Sequence, residues 1–597
     1  MRNITEQIIL KAVRLKQPTM EKLDTIKRAF LRNNKQIKDI PKKSDLLAVY
    51  HKLVKKNKIK TNAVLEKLLT KRAVRTLSGV SIITVLTKPH PCPGKCVYCP
   101  DEKAMPKSYI SDEPAAARAL QLAFDPYEQI VRRIDALQKN GHPTDKIELI
   151  VKGGTWNAYP LNYQYWFIVR CFQAANMSLR AKRSNPMGSP RPLGSRDDIV
   201  KLKKDLIVEQ KKNEKAKHRI IGLTLETRPD FVNEKTVWQM REQGCTRVEL
   251  GAQTIDDKIL KTIKRGHNAQ AIKNAMQMLK LYGFKVDLHL MPQLPGSTPA
   301  KDLKMMKEIF DNPDYRPDMI KIYPCTVVKN SELYTWLKKG KYKPYSDKKL
   351  LETLIAFKTT VPRYVRISRL IRDIPSHHIE AGNKMTNLRQ VIQTEMAKRG
   401  LKCNCLRCRE VGHQAGLQST DYGLQTKKQA LSFLRKQESI GRLSWIPAVV
   451  YTRLTGAGMT TEQIPYNKNI SLFVDKYEAS GGKEYFLSFE DERRNIVFAF
   501  CRLRIDKNGL FPAFIRELHT YGQSLAIKLK SSKAVKNKKN DNEVQHTGFG
   551  KQLVAMSEKI CKDNNIDTLA VISGVGVKGY YKKLGFKENQ TYLVKKL

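Results

Sequence analysis

From Val80 to about residue 326 the sequence repeats one unit: a short apolar run of strand length, then a longer segment with apolar residues at helical spacing. The runs are Ser81–Pro89, Lys146–Thr155, Arg219–Thr227, Arg247–Thr254, Lys285–Leu294 and Met319–Thr326. Successive strand–helix units join by right-handed crossovers, so a series of this kind closes into a parallel barrel or partial barrel. Chemistry in such barrels sits at the C-terminal strand ends, and that is where the unusual residues fall. Gly153-Gly154 ends the second run, Glu226–Asp230 the third, Glu249–Gln253 the fourth and Pro292–Gly296 the fifth. A Gly-Gly pair alone is more often only a turn. At successive strand ends it marks backbone that a ligand can approach closely.

Directly after the first run, Thr87 to Cys99 reads TKPHPCPGKCVYC. Cys92, Cys96 and Cys99 are soft sulfur donors able to hold three irons of a 4Fe-4S cluster. The fourth iron is then open to chelate the amino and carboxylate groups of S-adenosylmethionine. A zinc knuckle is the competing reading, but no further cysteine or paired histidine lies nearby to complete a tetrahedron. The spacing, with Tyr98 before the last cysteine, resembles the radical S-adenosylmethionine superfamily. That resemblance implies a cofactor site built from Gly153, Gly154, Glu249 and Gln253, with the glycines against the methionyl part.

The chain has 11 cysteines, and a second cluster, Cys403, Cys405 and Cys408, has C-x-C-x2-C spacing. This suits a structural zinc of three thiolates and one imidazole, from His377, His378 or His413. Clustered cysteines fit metal ligation in a reducing, cytoplasmic compartment better than a disulfide scaffold. No apolar stretch approaches a membrane span and no signal peptide opens the chain, so no membrane partner is expected.

Charge is the third constraint. Across 597 residues, 110 Lys and Arg face 57 Asp and Glu, for a net +53. Residues 1–80 alone carry 21 basic against 6 acidic residues. Apolar residues recur there at helical spacing between the breaks at Pro18 and Pro41. A small basic helical domain beside an iron-sulfur enzyme points to nucleic-acid docking; a solvated lysine face is the alternative.

Two stretches break the pattern, Arg180–Ser195, rich in Pro, Gly, Ser and Arg, and Gln414–Tyr466. Both read as insertions without a catalytic part. From Ile470 the sequence changes to an antiparallel pattern with strands at Glu484–Glu490, Asn495–Leu503 and Phe511–His519. Gln545-His546-Thr547-Gly548-Phe549-Gly550 then precedes an amphipathic helix, whose N-terminal backbone N–H groups can cradle a pyrophosphate. A strand at Thr568–Ile572 and the stretch Gly579–Phe586 follow. This order resembles the GNAT acetyltransferase fold, in which the loop holds coenzyme A and a tyrosine, here Tyr580 or Tyr581, lies near the thioester.

The words KPHPCPGKCVYCP, KGGTW, LETRPDF, VELGAQT, MPQLPGST, RDIPSHHIEAGN, CNCLRCREVGH, YEASGGKEYFLSFED, IRELHTYG, QHTGFG and VISGVGVKGYYKKLGF occur in this order. Together they resemble the catalytic-subunit family of Elongator, the enzymes that carboxymethylate the wobble uridine of tRNA. The resemblance implies an α/β fold: a small N-terminal helical domain (1–79), a partial TIM-like radical S-adenosylmethionine barrel (80–375), a zinc-binding linker (376–469) and a C-terminal GNAT α+β domain (470–597). It implies acetyl-CoA as co-substrate, held by Gly548, Phe549 and Gly550, with Glu517, Leu518, His519 and Thr520 as the strand edge for the pantetheine arm. Lys146 would meet a coenzyme A phosphate. The implied reaction joins an acetyl methyl to C5 of the uridine, using a 5'-deoxyadenosyl radical from S-adenosylmethionine. The implied partners are a tRNA anticodon stem-loop and an electron donor; a homodimer stays open. A lysine acetyltransferase with the barrel as mere scaffold is the alternative function.

Overall fold

The computed structural model describes residues 2–32, 41–71, 76, 78–176, 196–411, 470–521 and 548–597. Both expected insertions lie outside the described residues, as do His413 and residues 545–547.

Four helices come first: α1 (Arg2–Val13), α2 (Met20–Arg32), α3 (Lys43–Lys55) and α4 (Ala63–Leu69). Their apolar stripes, with Ile8, Leu23, Leu47, Tyr50 and Leu65 at the centre, close on one another as a separate small core. Asn62 starts α4 by accepting a hydrogen bond from the Leu65 amide at 3.0 Å. Lys52, Lys55, Lys56, Lys58 and Lys60 are all exposed on this unit.

Seven strands then form one parallel sheet whose spatial order is their chain order: β1 (Ser81–Leu86), β2 (Lys146–Lys152), β3 (Arg219–Thr227), β4 (Arg247–Gln253), β5 (Lys285–Leu290), β6 (Met319–Ile322) and β7 (Arg366–Arg369). Each neighbouring pair is parallel. The first six fall where apolar runs demanded them. The seventh reads Arg-Ile-Ser-Arg, with one apolar residue and no strand signal of its own. Tertiary pairing makes it a strand: Met319 and Ile320 of β6 register against Arg366 and Ile367. The Arg366 guanidinium is met by Glu410 at 2.9 Å. β1 and β7 are the two edges of this sheet, which remains open between them.

The C-terminal sheet contains β8 (Ile470–Ala479), β9 (Gly482–Asp491), β10 (Val497–Ile505), β11 (Ala513–Thr520), β12 (Thr568–Val571), β13 (Lys587–Asn589) and β14 (Tyr592–Lys596), in the order β8-β9-β10-β11-β12-β14-β13. One face carries Leu487, Cys501, Leu503 and Ile515 against Leu553 and Val554 of the helix Phe549–Asp563. The opposite face contributes Phe486, Phe500, Phe514 and Tyr592 to the same contiguous core as the barrel.

That second face covers the N-terminal end of the barrel, where charged groups fasten it. Arg516, fully buried, donates to Asp318 Oδ2 at 2.9 Å just before β6 and to the Phe284 carbonyl at 2.6 Å just before β5. Arg502 donates to the Tyr364 carbonyl at 2.7 Å. In the other direction, Arg241 of the barrel donates to the carbonyls of Ser573 (3.0 Å) and Thr591 (2.6 Å). At Gly574 the two backbones come so close that a Cβ would lie 1.9 Å from the Ile221 carbonyl oxygen. Among the described residues no helix is long and apolar enough to cross a membrane.

Candidate active site

The cysteine loop closes the opposite, C-terminal end of the barrel. Cys96 is buried and Cys92 and Cys99 are half-buried; all three are free thiols on the loop that leaves β1. Arg265, just past the short helix Asp257–Thr262 that follows β4, donates to Cys96 Sγ at 3.3 Å and also to the Gly251 carbonyl. The hydrogen bond from Cys99 and the Arg265 charge overcome burial and draw the Cys96 thiol down to about 4. Three sulfurs on one loop, one already held as thiolate beside a fixed cation, are a donor set that fits a cluster, and hydrogen bonds to sulfur are a recognised control of cluster potential.

Around this loop the strand ends are tightly packed and strained. Gly153 packs so tightly that a Cβ would lie 1.7 Å from Thr87 Oγ1. Thr87 Oγ1 is in turn 2.7 Å from the Tyr159 hydroxyl, which also donates to the Gly153 carbonyl at 3.0 Å. Gly154 has φ +93°. Gln253 and Gln293, at the ends of β4 and β5, hold φ +73° and +70°, a conformation costing a non-glycine residue about 1–3 kcal/mol. Each keeps a buried Oε1 without a hydrogen-bond partner. Strain and orphaned acceptors at adjoining strand ends are a signal of a ligand site that sequence spacing does not carry.

Below the loop, the barrel interior is a ladder of buried charge. Glu249 Oε2 meets Lys152 Nζ at 3.0 Å, His289 Nε2 at 3.3 Å and also Lys321 Nζ. Glu226 takes Lys152 at 3.1 Å and the Tyr109 hydroxyl at 3.2 Å. Burial pushes the Glu249 carboxyl up, yet Lys152, Lys321 and His289 overrule it and hold it well below the ordinary range. Asp287, one layer nearer the C-terminal domain, is buried with both carboxylate oxygens unpartnered. Burial raises its pKa against the partial offset of Lys321. Lys152 opens the KGGTW motif, whereas the sequence reading does not single out Lys321, His289 or Asp287; the inward direction of alternate strand residues brings all four together.

The far end of the same space belongs to the C-terminal sheet. β11 pairs with β12 only through Phe514–Ala570 and Ile515–Val571. Past that point the strands part, and among the described residues no strand pairs with one edge of Glu517–Thr520 while the other pairs with β10. An edge with open N–H and C=O groups suits an extended amide chain. The side chains alternate: Leu518 packs toward the helix core, whereas Glu517 bonds Arg502 at 2.8 Å and His519 lies 5.8 Å from Phe500 on the barrel side. Gly548 adopts φ +85° and opens the helix Phe549–Asp563, and a Cβ at Gly550 would lie 3.9 Å from Thr520 Cγ2, so that helix begins beside the gap. Tyr580 and Tyr581 divide: the Tyr580 hydroxyl lies over Gly550, whose Cβ would be 2.7 Å away, while Tyr581 is buried. Lys146 stands at the start of β2 beside Arg219, at the barrel end that the C-terminal domain covers.

Tyr98, between Cys96 and Cys99, lines one cavity of about 1050 Å³ together with Tyr109, Glu249 and Asp287 of the barrel and Leu518 and Tyr581 of the C-terminal domain.

Known proteins share this design along its whole length. Residues 90–309 match the Radical SAM superfamily model and 317–398 the Radical_SAM C-terminal domain model. The chain is 38% identical to the tRNA uridine(34) acetyltransferase of Methanocaldococcus infernus, with 100% of this chain and 99% of the relative covered. The chain belongs to the Elongator complex protein 3 family. Human Elongator complex protein 3 is 31% identical over 89% of this chain and 87% of its own length. A solved structure, the archaeal Elp3 of M. infernus with its N-terminus deleted, has TM-score 0.66 at 37% identity and covers 87% of this chain and 100% of that one. Membership carries the radical S-adenosylmethionine half-barrel, and with it a 4Fe-4S cluster and S-adenosylmethionine.

The second cysteine trio also converges. The sulfurs of Cys403, Cys405 and Cys408 lie within 4.8 Å of one another. Lys358, fully buried, reaches Cys408 Sγ at 3.8 Å, a buried cation suited to facing thiolates. Of the imidazoles expected to complete this set, His413 lies outside the described residues, and His377 and His378 gather around Asp112 instead. Their position in the sequence, between two metal-like motifs, concealed that the fold turns them toward the barrel mouth.

Proposed function

We propose that this chain modifies C5 of the wobble uridine of tRNA, building a carboxymethyl group from the acetyl methyl of acetyl-CoA. The observation that carries this reading is one cavity lined both by Tyr98, between Cys96 and Cys99, and by Glu517, Leu518 and His519 of β11. C5 of uridine is too weakly nucleophilic for ordinary acyl transfer, so joining it to a methyl carbon calls for one-electron chemistry. The cluster with S-adenosylmethionine, when bound, supplies that chemistry by removing hydrogen from an unactivated C–H bond.

The chain's own residues do the rest. Cys92, Cys96 and Cys99 hold the cluster, with Arg265 fixing its charge. Gly153, Gly154 and the strained Gln253 present backbone and an unpaired acceptor to S-adenosylmethionine. Gly548, Phe549 and Gly550 take the coenzyme A pyrophosphate, and Glu517–Thr520 pair with the pantetheine amides. Cys403, Cys405 and Cys408 hold a structural zinc. The exposed lysines of the N-terminal helices neutralise tRNA phosphates, and the unpaired anticodon bases are the part a protein can splay into a pocket. The names of the relatives, tRNA uridine(34) acetyltransferases, agree with this substrate.

Anaerobic incubation of the cluster-reconstituted protein with tRNA, acetyl-CoA and S-adenosylmethionine, read by nucleoside mass spectrometry, tests the proposal. Carboxymethyluridine at position 34 is expected. Its absence while S-adenosylmethionine is cleaved overturns the reading, and lysine acetylation that survives loss of the cluster would support the scaffold alternative.

Tyr581 is buried and lines the cavity, where its neutral hydroxyl can donate a hydrogen bond to a thioester carbonyl. Tyr581→Phe should therefore lower turnover by about 10² with little change in KM for acetyl-CoA, in line with loss of an oxyanion donor. Tyr580→Phe should act mainly on KM. Steady-state kinetics of both variants separate the roles.

A further inference from the structure

We propose that Asp112, His377 and His378 form a divalent metal site, of the zinc class, that fastens the two edges of the open barrel at its mouth. Asp112 lies on the crossover that leaves β1, beyond the cysteines; the histidines lie on the segment that leaves β7. β1 and β7 are the strands that do not pair with each other, so any link between these segments bridges the opening of the sheet.

The geometry is that of a ligand set rather than a single ion pair. His378 Nε2 is 2.8 Å from Asp112 Oδ2, and His377 Nε2 is 3.5 Å from the same oxygen. The second distance is too long for a good hydrogen bond. Ligands of tetrahedral zinc at ordinary bond lengths stand about 3.3 Å apart, between the two observed values. The ring centroids are 4.2 Å apart, and all three ligand atoms lie within 4.8 Å of one another. Two imidazoles and one carboxylate are borderline donors that favour zinc over calcium or magnesium.

The backbone that carries them is already held in place. Ile110, Val328, Ile374 and Ile379 form a small buried cluster under the site. Arg372 crosses to Glu113 at 2.7 Å and to the Ser108 hydroxyl at 3.0 Å. The outer side is open: His377 is 68% exposed and Asp112 56%, leaving room for water or a phosphate oxygen as the remaining ligand. The site is separate from the Cys403, Cys405 and Cys408 trio and independent of the reaction proposed above.

Zinc competition against a chromophoric chelator, on the cluster-loaded full chain without S-adenosylmethionine or RNA, tests it. Wild type should bind one equivalent more than D112N or H377A/H378A, or bind it at least about tenfold more tightly, as metal sites commonly lose that much on losing support. The thiolate trio remains in all three proteins as an internal reference. Added zinc should also slow hydrogen exchange in 108–113 and 376–381 of wild type but not of D112N. Equal zinc content and affinity in all three, or zinc that leaves exchange in these segments unchanged, overturns the proposal.

Discussion

Cys96→Ser abolishes S-adenosylmethionine cleavage and leaves acetyl-CoA affinity within about twofold, as expected for sites far enough apart to act independently. Of the three cysteines in this loop, Cys96 is the one whose thiol is drawn down, through Cys99 and Arg265. Its loss removes one of three iron ligands and leaves the buried Arg265 facing a neutral hydroxyl. Cleavage, followed as release of 5'-deoxyadenosine under reducing conditions, should fall to the level of cluster-free protein. Acetyl-CoA binding, followed by calorimetry, should persist because the strand gap belongs to the other end of the cavity. Cys171→Ser is the control: that thiol is buried in the helix Leu161–Asn176, away from the loop, and its loss should leave cleavage intact. Retained cleavage in Cys96→Ser would remove the cysteine loop from the mechanism.

Asp318→Asn loosens the C-terminal domain from the barrel, at a cost of about 3–5 kcal/mol for breaking a buried charge cluster. Asp318 is 1% exposed and faces Arg516 at 2.9 Å from the domain that covers it. Burial raises its carboxyl, but Arg516, Arg502 and Lys280 outweigh that and hold it well below the ordinary range. A carboxylate depressed in the folded state contributes its stability above the unfolded value, near 4, and loses it as pH falls through the folded value. Wild type should thus keep the domains docked through mild acid, while Asp318→Asn lacks this contribution at neutral pH. Hydrogen exchange at β11 and β6 reads the effect directly, without a global unfolding energy for a multidomain chain. Asp318→Leu with Arg516→Met, which removes both charges, should recover much of the loss. Unchanged exchange in Asp318→Asn would show that apolar packing alone docks the domain.

Several elements were legible because their pattern is local. β1 to β6 announce themselves as apolar runs, and the cysteine spacing, Gly153-Gly154 and the Gly548 loop lie in contiguous words of sequence. β7 was not legible, since Arg366 to Arg369 becomes a strand only through its partner β6. β8 was missed for a related reason: Ile470–Ala479 alternates weakly and takes its register from β9. Of the three histidines offered as fourth ligand of the second cysteine trio, His377 and His378 lie beside Asp112 and His413 lies outside the described residues; sequence proximity says nothing about the direction a chain takes after its last barrel strand.

The order of local motifs alone determined a parallel half-barrel with a thiolate loop at its C-terminal rim, followed by an acetyltransferase-like sheet. Tertiary structure alone decided that this sheet covers the opposite end of the barrel, so that Tyr98 of the cysteine loop and Leu518 of β11 line one cavity. Motifs record contacts between residues a few positions apart, where backbone geometry is set by residue type. The placement of one domain on another rests on Arg516, Asp318, Arg241 and the close approach at Gly574. These contacts join residues hundreds of positions apart, and their partners exist only once both domains have folded.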